Sequence, residues 1–315
     1  MPKMVQYMQL LTALAVAHAE PPLRVTCDVL AVHRSDPLLR QAKEALLDGR
    51  AVGNVTLGPL MRKTGSTTMG DFARRHGGGD VRGADAWRAR RDMKVVVSVR
   101  DPVERFLSGW RQVQTFYELG WITRHWFKGG CKLAWTRDEC TPNKQMRSNH
   151  AGETWRAPDA SREEKLTIRR LLRFLSDVER CGLFDDHIYP MTKYFAGLAR
   201  AGIDVRAATL IPTNDLDRAL PAAAGVRAGA ALGSAMVTGG SGWARTLGAV
   251  AADPAAPNHA IAREAIRRVC RVVAADYACF PFEAPAACAD LLNGGAAVKT
   301  AASAVAARPY PALEP

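Results

Sequence analysis

The sequence predicts one α/β domain with a central parallel sheet flanked by helices. Three short apolar runs carry that expectation: Val55 to Met61, Lys94 to Val99 and Ala207 to Ile211, each separated from the next by segments of helical periodicity. Strands that alternate with helices imply a parallel sheet covered on both faces. Ligands of such sheets bind at the carboxyl ends of the strands, so the segments following the first two runs are where chemistry is expected.

Taken in chain order, Met1-Pro2-Lys3-Met4, an apolar stretch from Met8 to Ala17 and the small-x-small site ending at Ala19 read as a secretory signal peptide or short anchor over 1–19. A buried amphipathic helix is the alternative. Residues 20–50 form a helical lead-in, with Asp36 as a cap and Pro37 at the first turn of a helix running to Leu47. Gly58 and Pro59 weaken the first strand. Thr67 to His76 reads as a helix stopped by Gly77-Gly78-Gly79, and Pro102 to Tyr117 as a helix opened by its proline. Arg162 to Arg180 is amphipathic, with Leu166, Leu171, Leu172, Leu175 and Val178 on the inner face. Ala219 to Ala256, rich in Ala and Gly, is expected to be loop or irregular helix, and Asn258 to Ala275 the last strong helix. The domain proper is placed at 51–285, with a mobile Ala/Pro-rich tail over 286–315.

The 315 residues hold 43 Lys and Arg against 31 Asp and Glu, a net charge of +12 that favours anionic partners: nucleic acid, anionic lipid or an acidic polymer. Seven cysteines in a chain expected to enter an oxidising lumen should pair in part, and Cys131 with Cys140 is the first pair expected. No Cys-x-x-Cys or His-rich cluster points to zinc. Asn54-Val55-Thr56 is the one glycosylation sequon, and its place beside an expected core strand argues against occupancy.

The chemistry concentrates in Arg62-Lys63-Thr64-Gly65-Ser66-Thr67-Thr68. Glycine lets the backbone curl so that successive amides face one concavity, the following helix adds its positive end, and Lys63 adds a full charge. A nucleotide triphosphatase loop places its lysine after the glycine; here the lysine comes first. The order Lys-Thr-Gly-Ser-Thr-Thr resembles the loop with which sulfotransferases bind the phosphosulfate of 3′-phosphoadenosine 5′-phosphosulfate (PAPS). Arg100 at the end of the second strand and Ser108, eight residues on, resemble the pair with which that family grips the 3′-phosphate. Asn143-Lys144-Gln145-Met146-Arg147, Phe184-Asp185-Asp186-His187 through Pro190-Met191, Thr209 to Leu216 and Asp276-Tyr277-x-x-Phe280 resemble, in order, further segments of the secretory carbohydrate sulfotransferases, the group that includes the chondroitin/dermatan and HNK-1 enzymes. Arg62 stands where that family usually has proline, and Met191 where it has glutamine.

The resemblance implies a P-loop-like sulfotransferase fold and transfer of a sulfuryl group from PAPS, as co-substrate and without a metal, to a carbohydrate hydroxyl in the Golgi lumen or at its membrane, or after secretion. Arg62, Lys63, Thr64, Gly65, Ser66, Thr67, Thr68, Arg100 and Ser108 would bind the cofactor, and Gln145 and Arg147 the acceptor. Lys63 would neutralise the bridging oxygen. His187 would take the acceptor's proton, an imidazole being able to do so at lumenal pH, with Asp185 or Asp186 orienting it; a surface histidine beside acidic cap residues is the other reading. Arg147, Lys144, Arg124 and Lys128 among Trp121, Trp126 and Trp135 read either as a surface for an anionic sugar chain or as a solvated basic loop. Arg169, Arg170, Arg173, Arg267 and Arg268 read as solvated helix faces. A nucleotide kinase and a catalytically silent acidic-glycan binder are the rival functions; nucleic-acid binding has only the net charge in its favour.

Overall fold

The computed structural model describes residues 23–42, 44–118, 160–183, 185–226 and 240–292. The expected signal peptide, the Cys131–Cys140 pair, Gln145, Arg147, the basic loop with its tryptophans and the tail beyond Leu292 lie outside the described residues.

The sheet has five strands: β1 (Asp48–Val52), β2 (Val55–Leu57), β3 (Gly79–Arg82), β4 (Lys94–Val99) and β5 (Thr209–Pro212), in the spatial order β3-β1-β2-β4-β5. It is mixed, which corrects the expected parallel sheet by two antiparallel pairings. β2, β4 and β5 run parallel, but β1 pairs antiparallel with both β2 and β3. The strand Asp48-Gly49-Arg50-Ala51-Val52 has no apolar run to announce it, and it straddles the expected boundary between lead-in and domain at residue 50. It is held from outside: Trp87, fully buried, donates from Nε1 to Leu47 O at 2.8 Å, and a Cβ on Gly49 would stand 2.7 Å from the Trp87 ring.

β4 is flanked on both sides and buried from Val95 to Val99, as a central strand requires. Its side chains alternate between two cores. Val95, Val97 and Val99 join the larger one; Val96 joins the smaller, with Leu57, Phe72, Ile211 and Leu220. The helices divide accordingly. α1 (Val29–Ser35) and α2 (Pro37–Gln41) precede the sheet, α3 (Ser66–Arg75) covers the smaller core, and α4 (Gly83–Arg88) carries Trp87. α5 (Pro102–Glu118), α6 (Ala160–Cys181) and α7 (Met191–Arg200) build the larger core; α8 (Leu216–Ala223) closes the smaller one. α9 (Gly240–Ala252), α10 (His259–Val272), α11 (Ala274–Cys279) and α12 (Ala286–Leu292) complete the described chain.

Several expectations are corrected. The helix after Asp36 keeps its cap, Asp36 Oδ1 accepting from the amides of Leu38 and Leu39, but stops at Gln41 rather than Leu47. Its last carbonyls are taken by a buried lysine on α7: Lys193 Nζ donates to Leu39 O at 2.7 Å and Ala42 O at 2.9 Å. The first strand stops at Leu57, because Gly58 turns at φ 129° and its amide goes to Val96 O. The Ala/Gly stretch holds helix α9, which packs on α10 and α5. The expected tail begins with helix α12, tied to α10 by the Cys270–Cys288 disulfide. Arg268 is no solvated side chain: it pairs with Glu179 at 2.7 Å and donates to Leu172 O, joining α10 to α6.

A second disulfide, Cys27–Cys279, joins residues 252 apart, and Thr26 N donates to Cys279 O beside it. Closing so long a loop restricts the unfolded chain. We expect the Cys27→Ser/Cys279→Ser double variant to lose about 2–5 kcal/mol in urea unfolding under non-reducing conditions; an unchanged midpoint would contradict the pairing.

Candidate functional site

The loop between β2 and α3 is set from below. Met61 is fully buried, the Thr64 hydroxyl donates to Met61 O at 2.9 Å, and the Ser98 hydroxyl of β4 donates to Thr64 O. Lys63 stands at φ 65°, the one non-glycine among the described residues in the left-handed region, a conformation that costs about 1–2 kcal/mol. Gly65 follows at φ 81°, where a Cβ would overlap the Leu216 side chain. α3 then begins at Ser66 with no side chain capping it. The open amides of its first turn and the positive end of its dipole therefore face the same way as the loop.

α5 supplies the opposite wall. Asp101 caps it, accepting from Glu104 N at 2.8 Å and from the Tyr277 hydroxyl at 3.1 Å. This carboxylate is thus committed to the fold. Arg100, largely buried, pairs with Glu104 at 3.3 Å. Ser108 is buried on the same helix. Lys63 reaches across to it, Nζ donating to Gln112 Oε1 at 2.8 Å. Burial lowers the pKa of Lys63, and the charges of Arg100, Arg62 and Arg111 lower it further. Four cations are therefore gathered at the entrance to α3.

The third segment is Asp185-Asp186-His187. His187 Nδ1 lies 2.7 Å from Asp185 Oδ1 and 3.1 Å from Asp186 Oδ1, and its backbone rests on α5, where a Cβ on Gly109 would overlap the His187 carbonyl. Asp186 also pairs with Arg62 at 3.5 Å, joining this segment to the lysine loop. Burial pushes the imidazole pKa down, but the hydrogen bonds and charges of the two aspartates outweigh it and raise it above the usual histidine value. Asp185, Asp186 and His187 are also the group among the described residues whose ligand atoms stand close enough for a metal, all within 4.8 Å of one another. Asp186 is also reached by the Tyr194 hydroxyl, which donates to its backbone carbonyl at 3.0 Å.

The structure therefore brings together Arg62, Lys63, Gly65, Ser66, Thr67, Thr68, Arg100, Ser108 and His187. Thr64 differs from expectation in one respect: its hydroxyl is turned inward to Met61, which leaves only its backbone at the loop. Met191 is fully buried at the first turn of α7, its amide donating to Asp276 Oδ2 at 2.8 Å, so an apolar side chain there fills core. The sequence reading missed Arg111 and Gln112. Both were within reach of it, because they stand three and four residues after Ser108 and so share its helix face.

Two outcomes follow. Gly109→Ala should cost about 1–3 kcal/mol, since the added methyl must displace the His187 backbone; thermal unfolding unchanged from wild type would refute that contact. Because the folded pKa of His187 exceeds the unfolded value of about 6.5, its cluster stabilises fully below that pH and less as pH rises through the folded value. The stability difference between wild type and His187→Gln, measured by urea unfolding, should therefore be largest near about pH 5 and shrink toward about pH 9.

Compared with protein-family models, with curated proteins and with solved structures, the chain matches none.

Proposed function

We propose that this chain is a PAPS-dependent sulfotransferase acting on a carbohydrate hydroxyl. The observation that carries the reading is the gathering of Lys63, Arg62, Arg100 and Arg111 at the uncapped start of α3, beside the carboxyl ends of β2 and β4. Asp186 and Glu104 pair with Arg62 and Arg100, and a ligand with a phosphosulfate at one end and a 3′-phosphate at the other would bring further anions to both walls. Lys63 and the amides of Ser66 to Thr68 take the phosphosulfate; Arg100 and Ser108 take the 3′-phosphate.

Transfer then needs little covalent chemistry from the protein. The acceptor oxygen attacks sulfur in line, the bond from sulfur to the bridging oxygen breaks, and adenosine 3′,5′-bisphosphate leaves with its charge held by Lys63. The acceptor's proton passes to His187, whose Nδ1 is held by Asp185. Two disulfides are compatible with an oxidising secretory compartment, and we assign the protein to the Golgi lumen. Among the described residues no helix is long and apolar enough to cross a membrane.

The test supplies PAPS labelled in its sulfate with a panel of glycans. Wild type should transfer label with magnesium chelated, Lys63→Ala should lose about 10²–10³-fold in kcat, and Arg100→Ala should weaken PAPS binding. With its imidazole pKa raised, His187 as base places the acid limb of the kcat/KM profile above about pH 6.5. Glycan binding without transfer would make the protein a silent binder; phosphorylation from ATP that stops on chelation would make it a kinase.

A further inference from the structure

We propose that Asn54 carries an N-linked glycan, attached before the sheet closes. Gly53 and Asn54 form the two-residue turn of the β1–β2 hairpin, where Val52 pairs with Val55. Both turn residues are exposed, Gly53 has φ 55°, and nothing lies within 4 Å of where its Cβ would be. Asn54 is thus exposed at a hairpin tip, and not buried in the core as the neighbouring strand suggests. The sequon hydroxyl has the opposite fate. Thr56 is fully buried, its Oγ1 accepts from Arg90 Nε at 2.9 Å, and the same guanidinium holds Gly53 O at 3.2 Å.

A transferase that reads the sequon needs the carboxamide and the hydroxyl together on an accessible segment. The folded chain offers only the first. Recognition must therefore precede the pairing of β2 with β4, a strand that leaves the ribosome well after Asn54, so synthesis itself provides the interval. In the reaction the Asn54 amide nitrogen bonds to the anomeric carbon of an oligosaccharide carried on a lipid pyrophosphate. The anomeric C–O bond breaks, the lipid pyrophosphate departs with the electron pair, and the amide proton goes to a base of the transferase.

The position protects the candidate site. Val55 pairs with Lys94 at the amino ends of parallel strands, whereas Lys63 and Arg100 follow their carboxyl ends, so the glycan projects from the opposite edge of the sheet. The proposal requires entry into the secretory lumen and is independent of the sulfotransferase reading.

The test expresses the full chain in a eukaryotic secretory host. A single mobility shift removed by peptide-N-glycosidase, with Asn54 converted to Asp in the released peptide, is expected for wild type and for Thr56→Ser, and no shift for Asn54→Gln or Thr56→Val. Absence of the shift from wild type, whether secreted or retained in the cytosol, overturns the proposal, as does a shift that survives Asn54→Gln. Separately, protein folded in a host without the transferase, then mixed with transferase and lipid-linked oligosaccharide, should stay unmodified while the reduced, denatured chain accepts the glycan. Equal modification of both overturns the assigned timing.

Discussion

A single buried cation, Arg105, holds the candidate site to the core. Its guanidinium is almost wholly out of water, donates from Nη1 to Tyr189 O and stands 5.8 Å from the centre of the Tyr194 ring. Burial lowers its pKa while Asp276 and Asp186 oppose that fall. A charge in such a place is tolerated only with partners arranged around it. Here Tyr189 O takes Nη1, and the Tyr194 ring and the charges of Asp276 and Asp186 stand around the rest, while Nε and Nη2 have no hydrogen-bond partner among the described residues. Asp276 completes the arrangement, capping α7 by accepting from the amides of Met191 and Thr192 and from the Thr192 hydroxyl, each at 2.8 Å.

That lock explains why His187 has a fixed place although no regular element carries it. The segment 185–190 is pinned by Arg105 at Tyr189, by Gly109 beneath the His187 carbonyl and by the Tyr194 hydroxyl, which donates to Asp186 O at 3.0 Å. The lysine loop is pinned differently, through β4: Ser98 points to the smaller core, opposite Val97 and Val99, and meets Thr64 there. Arg62 and Asp186 span the two segments directly, and their ion pair is partly open to solvent. Both segments also rest on α5, the lysine loop through Gln112 and His187 through Gly109.

The N-terminal segment belongs to the same body. Cys27 ties it to the end of α11, and Lys193 reaches out of α7 to close α2. Burial lowers the pKa of Lys193 to about 8, and burial with the nearby Lys193 charge brings His33 down to about 4. Both groups sit 3.3 Å apart at the junction of lead-in and domain, where two cations would repel and the histidine stays neutral.

Much of this was legible in the chain. β4 declared itself because a central strand buried on both faces must be apolar throughout, and α3, α5, α6 and α10 because their periodicity agrees with where they pack. The lysine loop was legible for a local reason: Lys63, Gly65 and the hydroxyls after them are contiguous, and backbone curvature with helix polarity follows from residue type alone. β1 was not, since Asp48 to Val52 is a strand only through its partners β2, β3 and Trp87. Nor were Arg105, the Gln112 contact to Lys63, or Lys193 ending α2, each of which joins residues far apart in the chain. By itself the sequence determined the local conformations and the chemistry available at each. The tertiary structure alone decided which charges share a space, because desolvation and Coulomb energy depend on distances that no sequence spacing records.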